Sequence, residues 1–261
     1  MEPENVADYS KVSYWDSRYK QEPNYDWFSS VYAECVTRIM EELWSRFGPS
    51  SSSSSSTTTD EAAVEKPSQI RILHLGTGNS RLVHDLAISW YAKCNEKNIT
   101  NLDLVQVAID YSDIVINNMK NGEQPPVGPK VEWLVADVRD LSCLVPQKNG
   151  KEDDSSNSSS SLLFDVVIDK GTMDAIQADK ESDSLDEDID AMLRETSRVM
   201  KTGNAIFLQV TWEIAAFRKH WVLREEYGWK NDDFKVTKLN PDDHGDCLYR
   251  ILRYVKNAPL V

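Results

Sequence analysis

The sequence has few of the residues that build disulfide frameworks or metal sites. It contains four cysteines in 261 residues, and no two of them form a CxxC pair. Its four histidines form no HExxH motif and have no cysteine pair nearby. Ligands scattered in this way indicate neither a zinc site nor a disulfide-stabilised secreted domain. We therefore expect no metal.

Positive charge and long apolar runs are also scarce. Lys and Arg number 29 against 43 Asp and Glu, so the net charge is −14. Phosphate backbones repel such a chain, which disfavours a nucleic-acid partner but allows a basic protein partner. No uncharged apolar run approaches the roughly 18 residues of a membrane span. The segment MEPENVADYS lacks the basic start and apolar core of a signal peptide. We expect a cytoplasmic protein without a membrane partner.

Two stretches of low complexity interrupt an otherwise globular composition. Hydrophobic residues make up 40% of the chain, which is enough for a sizeable core. The range 49–66 holds an unbroken serine run and three threonines, and the range 148–161 mixes Lys, Glu, Asp, Asn and Ser. Segments of this composition cannot bury apolar area, so we predict flexible surface loops. We expect a single domain over residues 1–261.

Around these stretches, short apolar runs alternate with segments of helical periodicity. Repeated strand–helix units predict a parallel sheet covered by helices on both faces. The strand predictions cover residues 70–75, 103–109, 131–136, 164–168 and 205–210. The helix predictions cover residues 79–93, a segment ending at 119, and residues 185–200 and 212–227. Ahead of the sheet, we predict an aromatic lid at 13–27 and a docked helix at 27–47.

The carboxy-terminal part changes the character of the sheet. The apolar runs 234–239 and 247–255 are joined by the turn-forming sequence Asn-Pro-Asp-Asp-His-Gly. Two such runs predict a hairpin of antiparallel strands. The fold prediction is therefore α/β: a Rossmann-like seven-stranded mixed sheet with helices on both faces and a C-terminal antiparallel hairpin.

Chemically distinctive residues follow the first two strands of the predicted sheet. The first strand ends in Leu-Gly-Thr-Gly-Asn-Ser, where Gly76 lets the backbone turn and approach a ligand, although a turn without a ligand uses the same residues. The third glycine of the dinucleotide fingerprint is replaced by Arg81, which disfavours a nicotinamide cofactor. Asp110 ends the second strand, where its carboxylate either accepts the hydroxyls of a ribose or begins a helix.

The third and fourth strands end in further polar residues. Asp137 suits an adenine amino group, with Val138 packed on the ring, but an aspartate here also begins ordinary loops. Lys170 lies in the sequence Asp-Lys-Gly-Thr, at the edge where open α/β sheets bind ligands. Suitable groups at four consecutive strand ends indicate a ligand-binding site more specifically than a group at any one strand end does. No GxSxG elbow or GxxxxGK[ST] loop points to another chemistry.

Six motifs in order resemble the eukaryotic translation elongation factor 1-alpha lysine methyltransferases, a family of class I, seven-strand enzymes that use S-adenosylmethionine. YWDxRY, YDWF and DKGTxDA are specific to that family, whereas GxG is widespread. The resemblance covers roughly residues 13–256, interrupted by the two low-complexity stretches. The motifs are Tyr14-Trp15-Asp16-x-Arg18-Tyr19, Tyr25-Asp26-Trp27-Phe28, Leu75-Gly76-x-Gly78-Asn79-Ser80, Asp110-Tyr111-Ser112, Asp137-Val138-Arg139 and Asp169-Lys170-Gly171-Thr172-Met173-Asp174-Ala175.

The resemblance implies a protein-lysine N-methyltransferase that acts on elongation factor 1-alpha, a basic protein. It implies cofactor contacts at Trp15, Tyr19, Trp27, Gly76, Asp110, Tyr111, Asp137, Val138 and Lys170. Without the resemblance, ordinary core packing is the favoured interpretation of the three aromatic residues of the lid. The same fold also serves methylation of a protein N-terminus or a small molecule, or a non-catalytic cofactor-binding adaptor. The sequence identifies no general base.

An acidic stretch follows the fourth strand. Residues 179–190 read DKESDSLDEDID, with a single lysine among the acidic residues. Acidic residues at a helix start are favoured by the helix dipole, which accounts for the later part of the stretch. We hypothesise that its earlier part attracts the basic surface of a protein substrate.

Overall fold

The computed structural model describes residues 2–22, 24–49, 69–145, 163–242 and 244–257. The predicted loops 49–66 and 148–161 lie outside the described residues, apart from Pro49. No described helix combines the length and apolar character needed to cross a membrane. The strands are β1 (Gln69–Leu75), β2 (Asp103–Asp110), β3 (Glu132–Val135), β4 (Val166–Lys170), β5 (Ile206–Thr211), β6 (Lys235–Leu239) and β7 (Tyr249–Val255). The α-helices are α1 (Val12–Gln21), α2 (Tyr32–Phe47), α3 (Leu82–Glu96), α4 (Asp113–Asn121), α5 (Thr172–Ile176), α6 (Leu185–Arg198) and α7 (Ala215–Val222).

All seven strands form one sheet in the order β3-β2-β1-β4-β5-β7-β6. Strands β1 to β5 are parallel, while β7 runs antiparallel to both β5 and β6. Near the centre of the sheet, Leu75 of β1 pairs with Asp169 of β4, and His74 pairs with Ala108 of β2. The carboxyl ends of the parallel strands therefore meet at one edge. The predicted seven-stranded mixed sheet with a C-terminal antiparallel pair is confirmed.

Helices cover both faces of the sheet because its central strands are apolar on both sides. Successive residues of β1 contact opposite layers: Ile72 packs with α2 and α3, and Leu73 packs with α6. The alternation of side chains along a strand produces this division. His74 is buried in β1 and lies 2.9 Å from the amide oxygen of Gln106, which makes it a satisfied core residue.

The amino-terminal segment differs from the prediction in two ways. The helix predicted at 27–47 begins at Tyr32, because the Asp26 carboxylate accepts the N–H of Phe28 at 2.8 Å and closes a turn ahead of it. The aromatic segment before it contains a helix, α1, that the apolar pattern did not predict. Trp15 and Tyr19 lie four residues apart on the buried face of α1.

The helix predicted at 212–227 is also shorter than expected. It begins at Ala215, since Thr211 accepts the N–H of Glu213 with its hydroxyl at 2.9 Å and turns the chain after β5. It ends at Val222, and Arg224 has an extended backbone before a 3-10 turn at Glu225–Tyr227. The prediction of one continuous helix was wrong at both ends.

Candidate functional site

Two adjoining cavities lie at the carboxyl edge of the parallel strands. The first, of about 60 Å³, is bounded by the ends of β1, β2 and β4 and by aromatic residues before α2. The second, of about 450 Å³, includes the residues that follow β3. Tyr111, Thr172 and Ala175 line both cavities. The predicted residues that line the first cavity are Trp15, Tyr19, Trp27, Gly76, Asp110, Tyr111 and Lys170. Those that line the second are Tyr111, Asp137 and Val138.

The loop after β1 approaches its neighbours too closely for side chains. Gly76 has a φ of +50°, and a Cβ there would lie 2.2 Å from the hydroxyl oxygen of Thr172. Gly78 has a φ of +53°, and its Cβ would lie 2.9 Å from the hydroxyl oxygen of Tyr19. Glycine adopts this conformation without strain. The loop therefore packs against Thr172 and Tyr19 with no room for side chains, and it forms part of the wall of the first cavity.

Asp110 is a buried carboxylate in the wall of the first cavity. Its side chain accepts the N–H of Gly78 and the N–H of Ser112, each at 2.9 Å. Each carboxylate oxygen has two lone pairs, so Asp110 can still accept the hydroxyls of a ribose. Burial raises the pKa of Asp110 to about 6, although the backbone hydrogen bonds oppose the rise. The carboxylate form predominates at neutral pH.

Asp137 and Val138 lie in the second cavity rather than the first. Asp137 accepts the backbone N–H of Arg139 at 2.9 Å and its guanidinium at 2.6 Å. Partial burial acts to raise the pKa of Asp137, but the hydrogen bonds from Arg139 outweigh it and lower the pKa overall. Val138 is buried beside it. The pair presents a charged acceptor and an apolar side chain to one space, as a heterocyclic base requires.

The aromatic residues of the amino-terminal segment pack together and line the first cavity. The rings of Trp15 and Tyr19 stack with centroids 5.7 Å apart, and Trp15 contacts Trp27 at 5.1 Å. The indole N–H of Trp15 donates to the carbonyl of Tyr9 at 2.7 Å. Trp27 also meets Trp212, which follows β5, at 4.8 Å. These residues therefore pack together as a core would and also line the first cavity, and their contact with a cofactor stays a prediction.

Several lining residues were not predicted from the sequence. Asn79 donates to the carbonyl of Glu22 at 2.7 Å and accepts the N–H of Tyr25 at 3.2 Å, which ties the glycine loop to the aromatic segment. Thr172 donates its hydroxyl to the carbonyl of Leu75 at 2.9 Å. Tyr25 and Thr172 stand in the YDWF and DKGTxDA motifs, so those motifs carried a signal for both.

Asp169, expected at the ligand-binding edge, faces the core instead. Its carboxylate accepts the N–H of Thr172 at 2.7 Å and the side-chain amide of Gln209 at 3.0 Å. It lines neither cavity. A carboxylate at the start of α5 satisfies backbone N–H groups that have no partner within the helix. Asp169 therefore shapes the turn that presents Lys170.

The lining residues fit S-adenosylmethionine, the cofactor that the motif resemblance implies. Asp110 offers acceptors to a ribose, Val138 offers an apolar surface to a base, and the glycine loop offers a close approach to backbone groups. No group of three or more His, Cys, Asp or Glu side chains in the described part of the chain could hold a metal ion.

Proteins named EEF1A lysine methyltransferase 4 are similar to the chain in sequence. The Bos taurus protein is 26% identical over 235 residues, which cover 87% of this chain and 71% of that protein. The Mus musculus protein is 28% identical with the same coverage. The Bos taurus eEF1A lysine and N-terminal methyltransferase is 25% identical over 203 residues, which are 77% of this chain but 21% of that protein. No protein-family model matches the chain.

Solved structures of methyltransferases align with the chain at lower identity. A SAM-dependent methyltransferase from Methanosarcina mazei is 14% identical with a TM-score of 0.40, covering 74% of this chain and 94% of its own. The DszA carbon methyltransferase is 13% identical with a TM-score of 0.48, covering 97% of this chain and 61% of its own. This chain thus combines sequence similarity to the mammalian enzymes with a seven-stranded sheet in which β7 lies antiparallel between β5 and β6. The chain is therefore related in sequence to the mammalian eEF1A lysine methyltransferases, and it is a methyltransferase built on a seven-stranded mixed sheet.

Proposed function

We propose that the chain is a protein-lysine N-methyltransferase whose substrate is translation elongation factor 1-alpha. The observation that carries the proposal is the similarity to proteins named EEF1A lysine methyltransferase 4 over 87% of this chain. The motifs typical of that group supply much of the first cavity. YWDxRY contributes Trp15 and Tyr19, YDWF contributes Trp27, and DKGTxDA contributes Lys170.

In this proposal, the chain binds its cofactor along the two cavities. Asp110 accepts the ribose hydroxyls, Asp137 and Val138 hold the adenine, and Trp15 and Trp27 shield the remainder from water. The bound cofactor supplies a methyl group on a good leaving group. The protein therefore contributes mainly by orienting the acceptor amine in line with that group.

The acceptor lysine must lose a proton before it reacts, and its pKa in water is about 10.4. Trp27 and Trp212 form an aromatic wall beside the first cavity, with ring centroids 4.8 Å apart. We propose that the lysine passes along this wall. Aromatic faces attract the ammonium, and removal from water then lowers its pKa and favours the neutral amine. No residue is assigned as a general base.

A protein N-terminus is a second candidate acceptor. One relative is named eEF1A lysine and N-terminal methyltransferase, and it is 25% identical to this chain over 203 residues. An N-terminal amine has a pKa of roughly 7.7–8.0, so it requires less help to lose its proton than lysine does. The two acceptors differ in where the methyl group is found, which makes them separable.

The test is methyl transfer to purified elongation factor 1-alpha. The chain is incubated with the factor and radiolabelled S-adenosylmethionine, and the modified peptide is identified by mass spectrometry. We expect a methylated lysine, loss of label when that lysine is changed to Arg, and no label with the Asp110→Ala variant. Label at the N-terminus, in a small molecule, or on another protein in a lysate would contradict the proposed substrate; no transfer to any of these would favour the adaptor.

We also place the chain in the cytoplasm. The proposed substrate serves translation there, and the enzyme must meet it. Fluorescence imaging of the tagged full chain tests this placement, and accumulation in another compartment would contradict it.

A further inference from the structure

One carboxylate joins three walls of the first cavity, and the cofactor assignments above give it no role. Oδ2 of Asp26 lies 3.0 Å from Nζ of Lys170 and accepts the hydroxyl of Ser80 at 2.8 Å. Oδ1 accepts the N–H of Phe28 at 2.8 Å. The residues on either side of Asp26 line the cavity, as do Ser80 and Lys170. Asp26 thus connects the aromatic segment, the glycine loop and the end of β4.

The ion pair between Asp26 and Lys170 is largely shielded from water. The two side chains are 16% and 11% exposed. The Lys170 ammonium also lies 5.3 Å from the centre of the Phe28 ring. A partly buried charge whose partner is removed keeps its desolvation cost and loses the compensating attraction. Lys170 therefore depends on Asp26 to be neutralised beside the cavity.

We infer that Asp26 is a positioning residue that makes the first cavity accept a positively charged sulfonium, by neutralising Lys170. S-adenosylmethionine carries this charge, whereas its product S-adenosylhomocysteine has a neutral sulfur at the same atom. Without Asp26, the positive charge of Lys170 would repel the sulfonium of S-adenosylmethionine. It would not repel the neutral sulfur of S-adenosylhomocysteine. The inference rests on the assignment of the first cavity to S-adenosylmethionine.

The test compares the Kd values of the two ligands by calorimetry on the full chain. In Asp26→Asn, we expect S-adenosylmethionine to lose about tenfold more affinity than S-adenosylhomocysteine, since two positive charges in one partly buried site repel each other appreciably. Lys170→Met should shift the ratio in the opposite direction, because the Asp26 carboxylate is then left without its cation. The double variant Asp26→Asn, Lys170→Met should restore the wild-type ratio.

A matched control lies at the other end of the same strand. Asp165, directly before β4, binds Nζ of Lys201 at 2.8 Å, and neither residue lines the two cavities. Asp165→Asn should leave both Kd values unchanged, and thermal melting verifies that each variant is folded.

Equal losses for the two ligands in Asp26→Asn would overturn the inference, because a merely structural role weakens both alike. An unrestored ratio in the double variant would also overturn it. If Asp26→Asn does not fold, an unshifted ratio in Lys170→Met overturns it instead. These measurements use no protein substrate, so they stand apart from a failure to methylate elongation factor 1-alpha.

Discussion

Asp110 combines two tasks in one side chain. Its hydrogen bonds to the N–H groups of Gly78 and Ser112 hold the glycine loop against the end of β2. Asp110 also lines the first cavity, where its remaining lone pairs are available as acceptors for a ligand. A substitution here therefore changes both the shape of the loop and the acceptors offered to a ligand, and the more conservative Asn separates these effects better than Ala.

Cofactor affinity should fall as the pH drops through about 6. Burial raises the pKa of Asp110 to about 6, so at lower pH the ligand-free protein holds a neutral carboxylic acid with fewer acceptor sites. Ribose hydroxyls favour the carboxylate, and binding must then release a proton. Each pH unit below 6 should weaken binding by up to about tenfold. Calorimetry between pH 5 and pH 8 measures this. Asp110→Asn should bind weakly with a flat profile, and an equally flat wild-type profile would contradict the assignment.

At the scale of elements, a buried ion pair attaches α7 to the sheet. The fully buried Arg218 guanidinium contacts the carboxylate of Asp174 in α5. It also donates to the hydroxyl of Thr211 in β5 at 3.0 Å and to the side chain of Gln177 at 2.7 Å. One side chain therefore joins three elements beside the segment that carries Trp212.

Replacing Arg218 with Met should lower the free energy of unfolding by about 3–5 kcal/mol, since Asp174 then remains buried without its partner. Burial raises the pKa of Asp174 to about 6, and Arg218 opposes that rise. In the variant the pKa rises further, and protonation relieves the penalty at low pH. The loss should therefore be smaller at pH 5 than at pH 8, which urea unfolding measures.

Arg194 provides the matched control for this prediction. It pairs with Asp190 on α6 at 2.7 Å, but its side chain is 57% exposed. Arg194→Met should leave the free energy of unfolding nearly unchanged. The double variant Asp174→Asn, Arg218→Met should recover part of the loss, because it removes both buried charges. A loss in Arg218→Met no larger than in the control would show that the buried pair is unimportant.

The aromatic segment before α2 should become more protected when cofactor binds. Its hydrogen bonds to the rest of the molecule include Asn79 with Tyr25, at 3.2 Å, and Ser112 with Asp16, at 2.5 Å. A ligand beneath Trp15 and Trp27 adds contacts that the segment must break in order to open. Amide exchange in α1 and residues 24–28 should slow on addition of S-adenosylmethionine, while exchange in β7 stays constant. Identical exchange with and without ligand would favour core packing as the segment's sole role.

At the scale of the whole molecule, the net charge is −14. Near the second cavity, only some of the acidic side chains are paired with a cation. Asp188 is bound by Arg139 at 2.7 Å and Asp190 is bound by Arg194 at 2.7 Å. Glu181 and Asp183, earlier in the same acidic stretch, are exposed. Asp186 and Glu187, in the first turn of α6, are exposed as well, but there the helix dipole accounts for acidic residues, whereas it does not account for Glu181 and Asp183.

Neutralising Asp179, Glu181 and Asp183 should raise the KM for a basic protein substrate at low salt. The attraction acts on association and is screened by ions, so the defect should shrink as salt rises. Steady-state kinetics at two salt concentrations check this, and calorimetry measures cofactor affinity separately because Asp179 lines the second cavity. The control neutralises exposed acids outside both cavities, Glu96, Glu123 and Glu132, and changes net charge equally. Equal effects in the two triple variants would leave the acidic stretch without a specific role.

The local hydrophobic pattern of the sequence was enough to predict the elements that are buried on both faces. The run around Leu73 is apolar because β1 is covered on both sides, and this makes it visible in the sequence. The ends of the segment 212–227 depend on a hydroxyl of Thr211 and on turns after Val222, which have no comparable periodicity. Helix α1 was missed because its buried face is built from aromatic residues between charged ones.

The residues of the candidate site could be predicted from the sequence where a glycine or an aspartate stands directly at the end of a predicted strand. Gly76 directly follows β1 and Asp110 is the last residue of β2, and the sheet brings them together. The contact of Asp26 with Lys170 joins residues 144 positions apart, and no local pattern reports such a pairing. Asp169 is the opposite case. It stands at a strand end, where the sequence predicts a ligand contact, but its side chain points to the core and accepts a hydrogen bond from Gln209.

The position of β7 between β5 and β6 has a consequence for synthesis on the ribosome. Strand β5 ends at Thr211, but its antiparallel neighbour is not made until Tyr249–Val255. During that interval β5 presents an open edge of apolar residues, and β6 emerges before the strand on which it pairs. Unpaired edges of this kind promote association between nascent chains. Slow translation of residues 212–248 should therefore prolong the need for chaperones, and a ribosome that stops there would release a chain unable to close its sheet.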